Sequence, residues 1–300
     1  MREGLDVPGV ALAIEQKRLL VRRLDGVGVD EVELVAPGHF WNDLEALKEL
    51  DLGDLRIRSS GLIYGPGSRF LEQIRASSLA VHRVDVLVPL SEKRPPHKRA
   101  EKTRCLKDCL RVALDSRDHV GVGFPHATQV EPDFLVELCR EAAHWGAERV
   151  TLYDTNGSAD PFQVVDLVQR VRTVAAGELC FHAHNDLGMA TANSVAAVLS
   201  GADCLDVTVN GLGDRAGNAS LEQVALALHV KGRAHGLRLA GLRDLSRVVE
   251  ALTRIAVSPL APVVGEFAFS HKSPSHLDVP ELFEAFDPAL LGVKRTTCTQ

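Results

Sequence analysis

The chain has 300 residues, 45% of them apolar and 25% charged, with a formal net charge of −6. That composition is ordinary for a globular protein, and the length suits an α/β barrel folded as one unit. The acidic balance argues against a nucleic-acid partner, and no apolar run reaches the roughly 18 residues of a membrane span.

Charges appear at once, at Arg2 and Glu3, so no secretory leader is read and a cytoplasmic location is expected. Residues 29–35, 55–60, 83–88 and 120–124 read as strands. Next come a helix over 134–145, a strand over 149–153 and a helix over 161–174. A strand over 179–184, a helical run opening near Thr191, a strand over 204–209 and a helix over 221–229 complete the series. Parallel strands buried on both faces need cover, and alternating helices supply it. Seven strands are visible, and an eighth would have to lie before Val10, where Met1 to Glu3 are the residues available. The expected fold is therefore α/β, a (β/α)8 TIM barrel with its first strand short or truncated. An open doubly wound sheet is the rival, but no Gly-rich dinucleotide loop follows a strand as that fold would require.

The composition changes after Arg233. Residues 1–235 read as the barrel domain, and 236–300 as a C-terminal helix (236–257), a loop (258–265) and a lid-like extension. Such an extension would cover the barrel mouth or reach a partner subunit. The six cysteines, Cys105, Cys109, Cys139, Cys180, Cys204 and Cys298, form no CxxC pair and read as core thiols. The basic run from Lys93 to Arg99, with Lys102 and Arg104, reads either as solvated loop charge or as an anion trap for a CoA phosphate. It lacks the aromatic partners of a nucleic-acid site.

The segment Phe181-His182-Ala183-His184-Asn185-Asp186 carries the clearest chemistry. Two histidines at i and i+2 on a strand point the same way, and here they do so at a strand's C-terminal end, where barrel sites lie. They are candidate ligands for a divalent cation such as Zn, Mn, Mg, Co or Fe. Glu3 is the candidate carboxylate and Asn218 a candidate carbonyl ligand. Asp186 is either a further ligand or a group that orients one histidine. The alternative is a pair of hydrogen-bonded structural histidines. The Gly-rich stretch Asn210-Gly211-Leu212-Gly213-Asp214-Arg215-Ala216-Gly217-Asn218 favours a site, because its glycines allow close backbone approach at another strand end. In Tyr153-Asp154-Thr155-Asn156-Gly157, Thr155 is a candidate to bond a substrate carboxylate and Asp154 to hold a neighbouring backbone or basic group; the alternative is an Asx turn that ends the strand and starts a helix.

These motifs resemble the metal-dependent family of homocitrate synthase and isopropylmalate synthase, within the superfamily that also holds hydroxymethylglutaryl-CoA lyase. The resemblance runs from Arg2 to about Arg295 and rests on the stretches from His182 to Gly188 and from Asn210 to Glu222. It implies a Claisen-type condensation of acetyl-CoA with a 2-oxo acid in a homodimer with an exchanged C-terminal segment. By position it implies that Arg2 stabilises the developing oxyanion and that Glu3, His182, His184 and Asn218 hold the metal. Thr155, Glu33 and Arg2 would contact substrate. His271 and His276 would belong to the tail motif from which a partner subunit supplies base chemistry.

Some positions depart from the family pattern. Gly123-Phe124-Pro125-His126 stands where an acidic motif is usual and is closer to the lyase branch. The cysteine of the lyase's Gly-rich loop is absent, and the synthase reading keeps the edge. A tail tyrosine appears as Phe283, which has no hydroxyl to donate. The rival readings are a C–C lyase or aldolase, and a non-catalytic barrel kept as an interaction protein.

Overall fold

A computed structural model of the chain describes residues 1–36, 50, 52–65, 72, 81–90 and 99–297. Seven parallel strands pair in sequence order: β1 (Glu31–Val35), β2 (Arg58–Tyr64), β3 (Arg83–Leu87), β4 (Val120–Phe124), β5 (Arg149–Asp154), β6 (Glu178–Ala183) and β7 (Cys204–Asp206). The long helices are α1 (Ile14–Val27), α2 (Arg99–Leu114), α3 (Pro132–His144), α4 (Pro161–Arg172), α5 (Ala190–Ser200), α6 (Leu221–Val230) and α7 (Leu242–Thr253).

Local chemistry starts these helices where the chain must turn back from the sheet. Asp160 caps α4, its carboxylate accepting from Phe162 N at 2.8 Å and Gln163 N at 2.9 Å, with Pro161 at the first helical position. Glu131 and Pro132 do the same for α3. The outer faces of the strands, with Val120, Val122, Val150, Leu152 and Phe181, pack under Leu110, Leu135, Leu138, Val164 and Val168 of the helices. Side chains alternate across a strand, so the residues between them face the barrel axis.

That interior is layered. At the N-terminal rim, Arg83 Nη1 donates to Glu178 Oε2 at 2.9 Å, Arg149 Nε donates to the same oxygen at 2.9 Å, and Arg149 Nη1 donates to Glu31 Oε1 at 2.7 Å. At the opposite rim, Ala36, Leu62, Leu87 and Tyr153 form an apolar cluster with Tyr64 against it. Between them Asp85 is buried, and its Oδ1 finds no hydrogen-bond partner among the described residues. Burial pushes its carboxyl up to about 7 despite Arg149 nearby. A carboxyl whose folded pKa lies above its unfolded one destabilises the fold as pH rises between the two. Stability should therefore fall from about pH 4 towards pH 7 through this group, and Asp85→Asn should flatten that part of the profile. Urea midpoints of both proteins at intervals from pH 4 to 8 check this, and parallel profiles would contradict it.

The sheet does not close through an eighth strand among the described residues; its edges are β1 and β7. Where a short first strand was expected, Glu3–Leu5 form a 3-10 turn. This segment still lies between the two edges. Arg2 N donates to Glu33 O at 2.9 Å, and a Cβ on Gly4 would stand 3.5 Å from Thr208. A cavity of about 150 Å³ and another of about 370 Å³ lie along this opening, both touching Glu31, Glu33, Leu205 and Asp206.

Three elements depart from the sequence reading by more than two residues. The second strand is Arg58–Tyr64, later than expected, because Leu62 and Tyr64 face the barrel axis. The last strand stops at Asp206, before a 3-10 turn at Val209–Gly211 in which Asn210 takes a left-handed φ of 59°. The helix expected from residue 236 begins at Leu242, after a 3-10 turn at Leu239–Gly241, and packs on α1. In the tail, β8 (Ser270–His271) pairs in parallel with β9 (Thr296–Thr297), and α8 (Pro274–Asp278) follows β8. Residues 93–98 of the basic run lie outside the described residues. Of its remainder, Arg99 pairs with Glu131 at 3.3 Å and Lys102 Nζ donates to Pro89 O at 2.8 Å.

Candidate metal centre

Glu3, His182 and His184 each offer one ligand atom within 4.8 Å of the others. The two histidines lie at the end of β6, both buried, with their Nε2 atoms 3.4 Å apart. Glu3 Oε1 stands 3.7 Å from His184 Nε2. Asn218 Nδ2 is 3.0 Å from His182 Nε2 and 3.3 Å from Ala183 O.

The His182 tautomer, the neutral His184 and the ionised Glu3 suit a cation. His182 Nδ1 meets Asp206 Oδ2 at 3.1 Å, which places the ring proton on Nδ1 and turns the Nε2 lone pair towards His184. Burial opposes charging His182, but Asp206 and Glu3 outweigh it and raise its pKa, so a cation would have to displace a proton from Nε2. Burial and the charge of His182 lower His184 to about 4, so its ring is neutral near pH 7. Burial works against the Glu3 carboxylate, yet Arg2 and the two histidines hold its pKa below the usual range.

Two facing nitrogen lone pairs and a carboxylate form an electron-rich pocket. Their separation suits two ligands at roughly 2.1 Å from one divalent ion. Asn218 Oδ1 is buried without a partner among the described residues. Turning the amide over would present that oxygen to the pocket. A Cβ at Gly213 would lie 2.0 Å from Asn218 Oδ1, so the bare backbone there is what admits the amide. Two imidazoles, a carboxylate and an amide oxygen fit a first-row divalent cation.

Arg2 borders the cluster. Its Nε donates to Glu33 Oε1 at 2.7 Å, Nη2 lies 2.6 Å from the same oxygen, and Nη1 bonds Glu3 Oε2. These bonds use three of the five guanidinium donors and leave two. Tyr153 lies beside His182, ring centroids 4.5 Å apart and planes tilted by 31°, and extends the apolar cluster to the edge of the site.

Thr155 sits at the end of β5, where its Oγ1 accepts from His126 N at 2.8 Å. Asp154 is fully buried and accepts from Thr128 Oγ1 at 2.9 Å and from Ala159 N at 3.2 Å. It pins the strand-end turn, as its residue type suggested. Asp186 touches neither histidine's ring nitrogens. Its carboxylate accepts from Arg215 Nε at 2.8 Å and Nη2 at 2.9 Å. The Gly-rich loop is anchored by Glu222, whose oxygens accept from Asn210 N at 3.2 and 3.1 Å and from Ser220 Oγ at 2.6 Å.

His271 and His276 form a separate pair in the tail, Nδ1 to Nδ1 at 3.4 Å. His271 Nε2 also meets Glu284 Oε1 at 3.1 Å, and His276 stacks on Phe283 at 3.8 Å. Among the described residues no hydrogen bond or ion pair joins them to Glu3, His182 or His184.

The sequence reading passed over Asp206 and Arg215. Asp206 is the direct register partner of His182 across β6 and β7, so aligning those strands would have found it. No local signal marks Arg215, since its contacts lie on other strand ends.

The chain matches the family model described as HMGL-like over residues 1–249. It is 32% identical over 305 residues to homocitrate synthase 1 of Nostoc sp., covering 98% of this chain and 80% of that protein. It is 33% identical over 306 residues to 2-isopropylmalate synthase of Sulfolobus acidocaldarius, covering 97% and 78%. Against a "Probable 2-isopropylmalate synthase" of Methanopyrus kandleri it is 36% identical over 307 residues, covering 98% of this chain and 60% of the other. In fold it resembles HMG-CoA lyase of Brucella melitensis, with a TM-score of 0.71 and 22% identity over 84% of this chain and 96% of that one. The hydroxymethylglutaryl-CoA lyase of Pseudomonas aeruginosa gives 0.71 and 22% over 85% and 91%. The family model takes in the strands, the histidine pair and the Gly-rich loop alike, and this chain belongs to the HMGL-like family.

Proposed function

We propose that the chain is a metal-dependent condensing enzyme, homocitrate-synthase-like, that joins acetyl-CoA to a 2-oxo acid. The observation that carries this reading is the convergence of Glu3, His182 and His184, with Asn218 beside them, in a chain that matches a homocitrate synthase and a 2-isopropylmalate synthase over 98% and 97% of its length.

Glu3, His182, His184 and Asn218 would hold a divalent cation whose chemistry is to polarise the ketone of the 2-oxo acid towards attack. Thr155 would bind the acid's carboxylate through its hydroxyl, whose oxygen is already fixed by His126 N. Glu33 holds Arg2 by two contacts, so the guanidinium meets the reacting oxygen without reorganising. Arg2 would stabilise the negative charge that develops on that oxygen as the new C–C bond forms. The apolar cluster around Tyr153 would keep water from this edge of the site and strengthen these charge interactions.

A base must remove a proton from the acetyl methyl group. His271 and His276 are the groups proposed for that step, supplied from the partner of a homodimer with exchanged tails. The exposure of Leu260, Phe267, Leu282 and Phe283 along the tail supports such an exchange. Thioester hydrolysis would then release CoA and a 2-hydroxy diacid or triacid.

The test is to load the protein with Mn²⁺ or Zn²⁺, add acetyl-CoA and a panel of 2-oxo acids, and follow free thiol. Release of CoA that depends on both metal and one 2-oxo acid is the expected result. Retro-aldol cleavage of hydroxy acids without such release would replace the synthase reading with a lyase. Failure to retain any first-row divalent ion would leave a non-catalytic barrel.

A further inference from the structure

We infer that Arg215 is a positioning residue, clamping the strand-end segments that carry Thr155, His184 and Asn218 into one arrangement. Its kinetic arm rests on the condensing reading above; its structural arm does not.

Arg215 lies in the Gly-rich loop after β7. Nε donates to Asp186 Oδ1 at 2.8 Å, Nη2 donates to Asp186 Oδ2 at 2.9 Å, and Nη2 also donates to Thr155 O at 2.7 Å. Nη1 is steadied by Asp214 Oδ2 at 2.9 Å. One planar fork thus spans the end of β5, the end of β6 and the loop after β7. Lysine, a point charge, cannot reproduce that geometry.

Three further observations point to positioning. First, Arg215 has φ of 58°, a left-handed backbone that is strained for a non-glycine residue. The loop's other positive-φ positions are Gly211, Gly213, Gly217 and Asn210, whose short amide tolerates this region, so a long side chain at 215 is kept where glycine would avoid the strain. Second, Thr155 is held at both ends, Oγ1 by His126 N and its carbonyl by Arg215. Third, the three segments meet backbone to backbone. A Cβ at Gly157 would lie 2.6 Å from Asp186 N and 2.8 Å from His184 O. Asn185 N donates to Gly217 O at 2.9 Å, and His184 bridges Asn218. A shift in any one segment is felt by the other two.

The side chains of Arg215 and Asp186 are 40% and 26% exposed, so their ion pair contributes little to global stability. Its effect is on placement, where a displacement near 1 Å costs on the order of 100-fold in rate.

The test compares the full chain with Arg215→Ala and Arg215→Lys. In R215A, hydrogen exchange should quicken together in peptides covering 153–157 and 184–188, by about tenfold, while β2 is unchanged. Mn²⁺ should bind about tenfold more weakly, the scale expected when support behind a ligand is lost. The KM for the 2-oxo acid should rise more than about tenfold with the KM for acetyl-CoA held, and R215K should fall between. The thermal midpoint should stay within a few degrees. Faster exchange confined to 210–218 with unchanged Mn²⁺ binding would overturn the inference. So would a parallel rise of both KM values with a general loss of stability. If the wild-type chain releases no CoA with any acid, the condensing reading fails, and exchange and Mn²⁺ binding still decide the role of Arg215.

Discussion

Replacing His182 and His184 together by alanine should leave a folded chain that holds no metal and releases no CoA. Both rings are buried at the end of β6, with their Nε2 atoms turned to one point. Loss of a single group behind a ligand weakens metal binding by about 10–100-fold, so loss of two ligands should exceed that range. Metal content after desalting, read by mass spectrometry, should drop from near one ion per chain to background. Metal- and 2-oxo-acid-dependent CoA release should fall at least about 1,000-fold, because polarisation of the ketone is lost with the ion. Circular dichroism guards against unfolding as the cause. Metal retained at full stoichiometry in a folded double variant would remove the site from this position.

The second large effect is expected at Arg2. Arg2→Lys keeps a positive charge but loses the fork that meets Glu33 and Glu3. Without a fixed donor at the developing oxyanion, kcat should fall by about 100- to 1,000-fold, the loss of one preorganised donor. Metal content should be retained, since Glu3 and both histidines remain. The KM for the 2-oxo acid should move less than about tenfold, because the proposed interaction would be made in the transition state. A variant with kcat within tenfold of wild type, or one that loses its metal, would assign Arg2 a structural role instead.

Much of the fold was legible because its signals are local. β3, β4 and β5 each set an apolar residue at every second position (Val84 and Val86, Val120 and Val122, Val150 and Leu152), the period of a strand, and Asp160-Pro161 marks a helix start unaided. The ends of β2 and β7 were harder. Leu62 and Tyr64 belong to the sheet because they face other strands' side chains, and β7 stops because Asn210 turns left-handed with its N–H held by Glu222.

The sequence by itself determined the alternating α/β architecture and the chemistry of the donor set, since side-chain periodicity and ligand type are properties of short segments. His182 and His184 share a face because a strand has a period of two. Only the tertiary structure decided which distant groups meet them. Strand register set Asp206 against His182, the N-terminal turn brought Glu3 and Arg2 to the gap between β1 and β7, and Arg215 crossed to Thr155 and Asp186. Those contacts span 24 to 181 residues of chain, and nothing in a local sequence pattern specifies a distance through space.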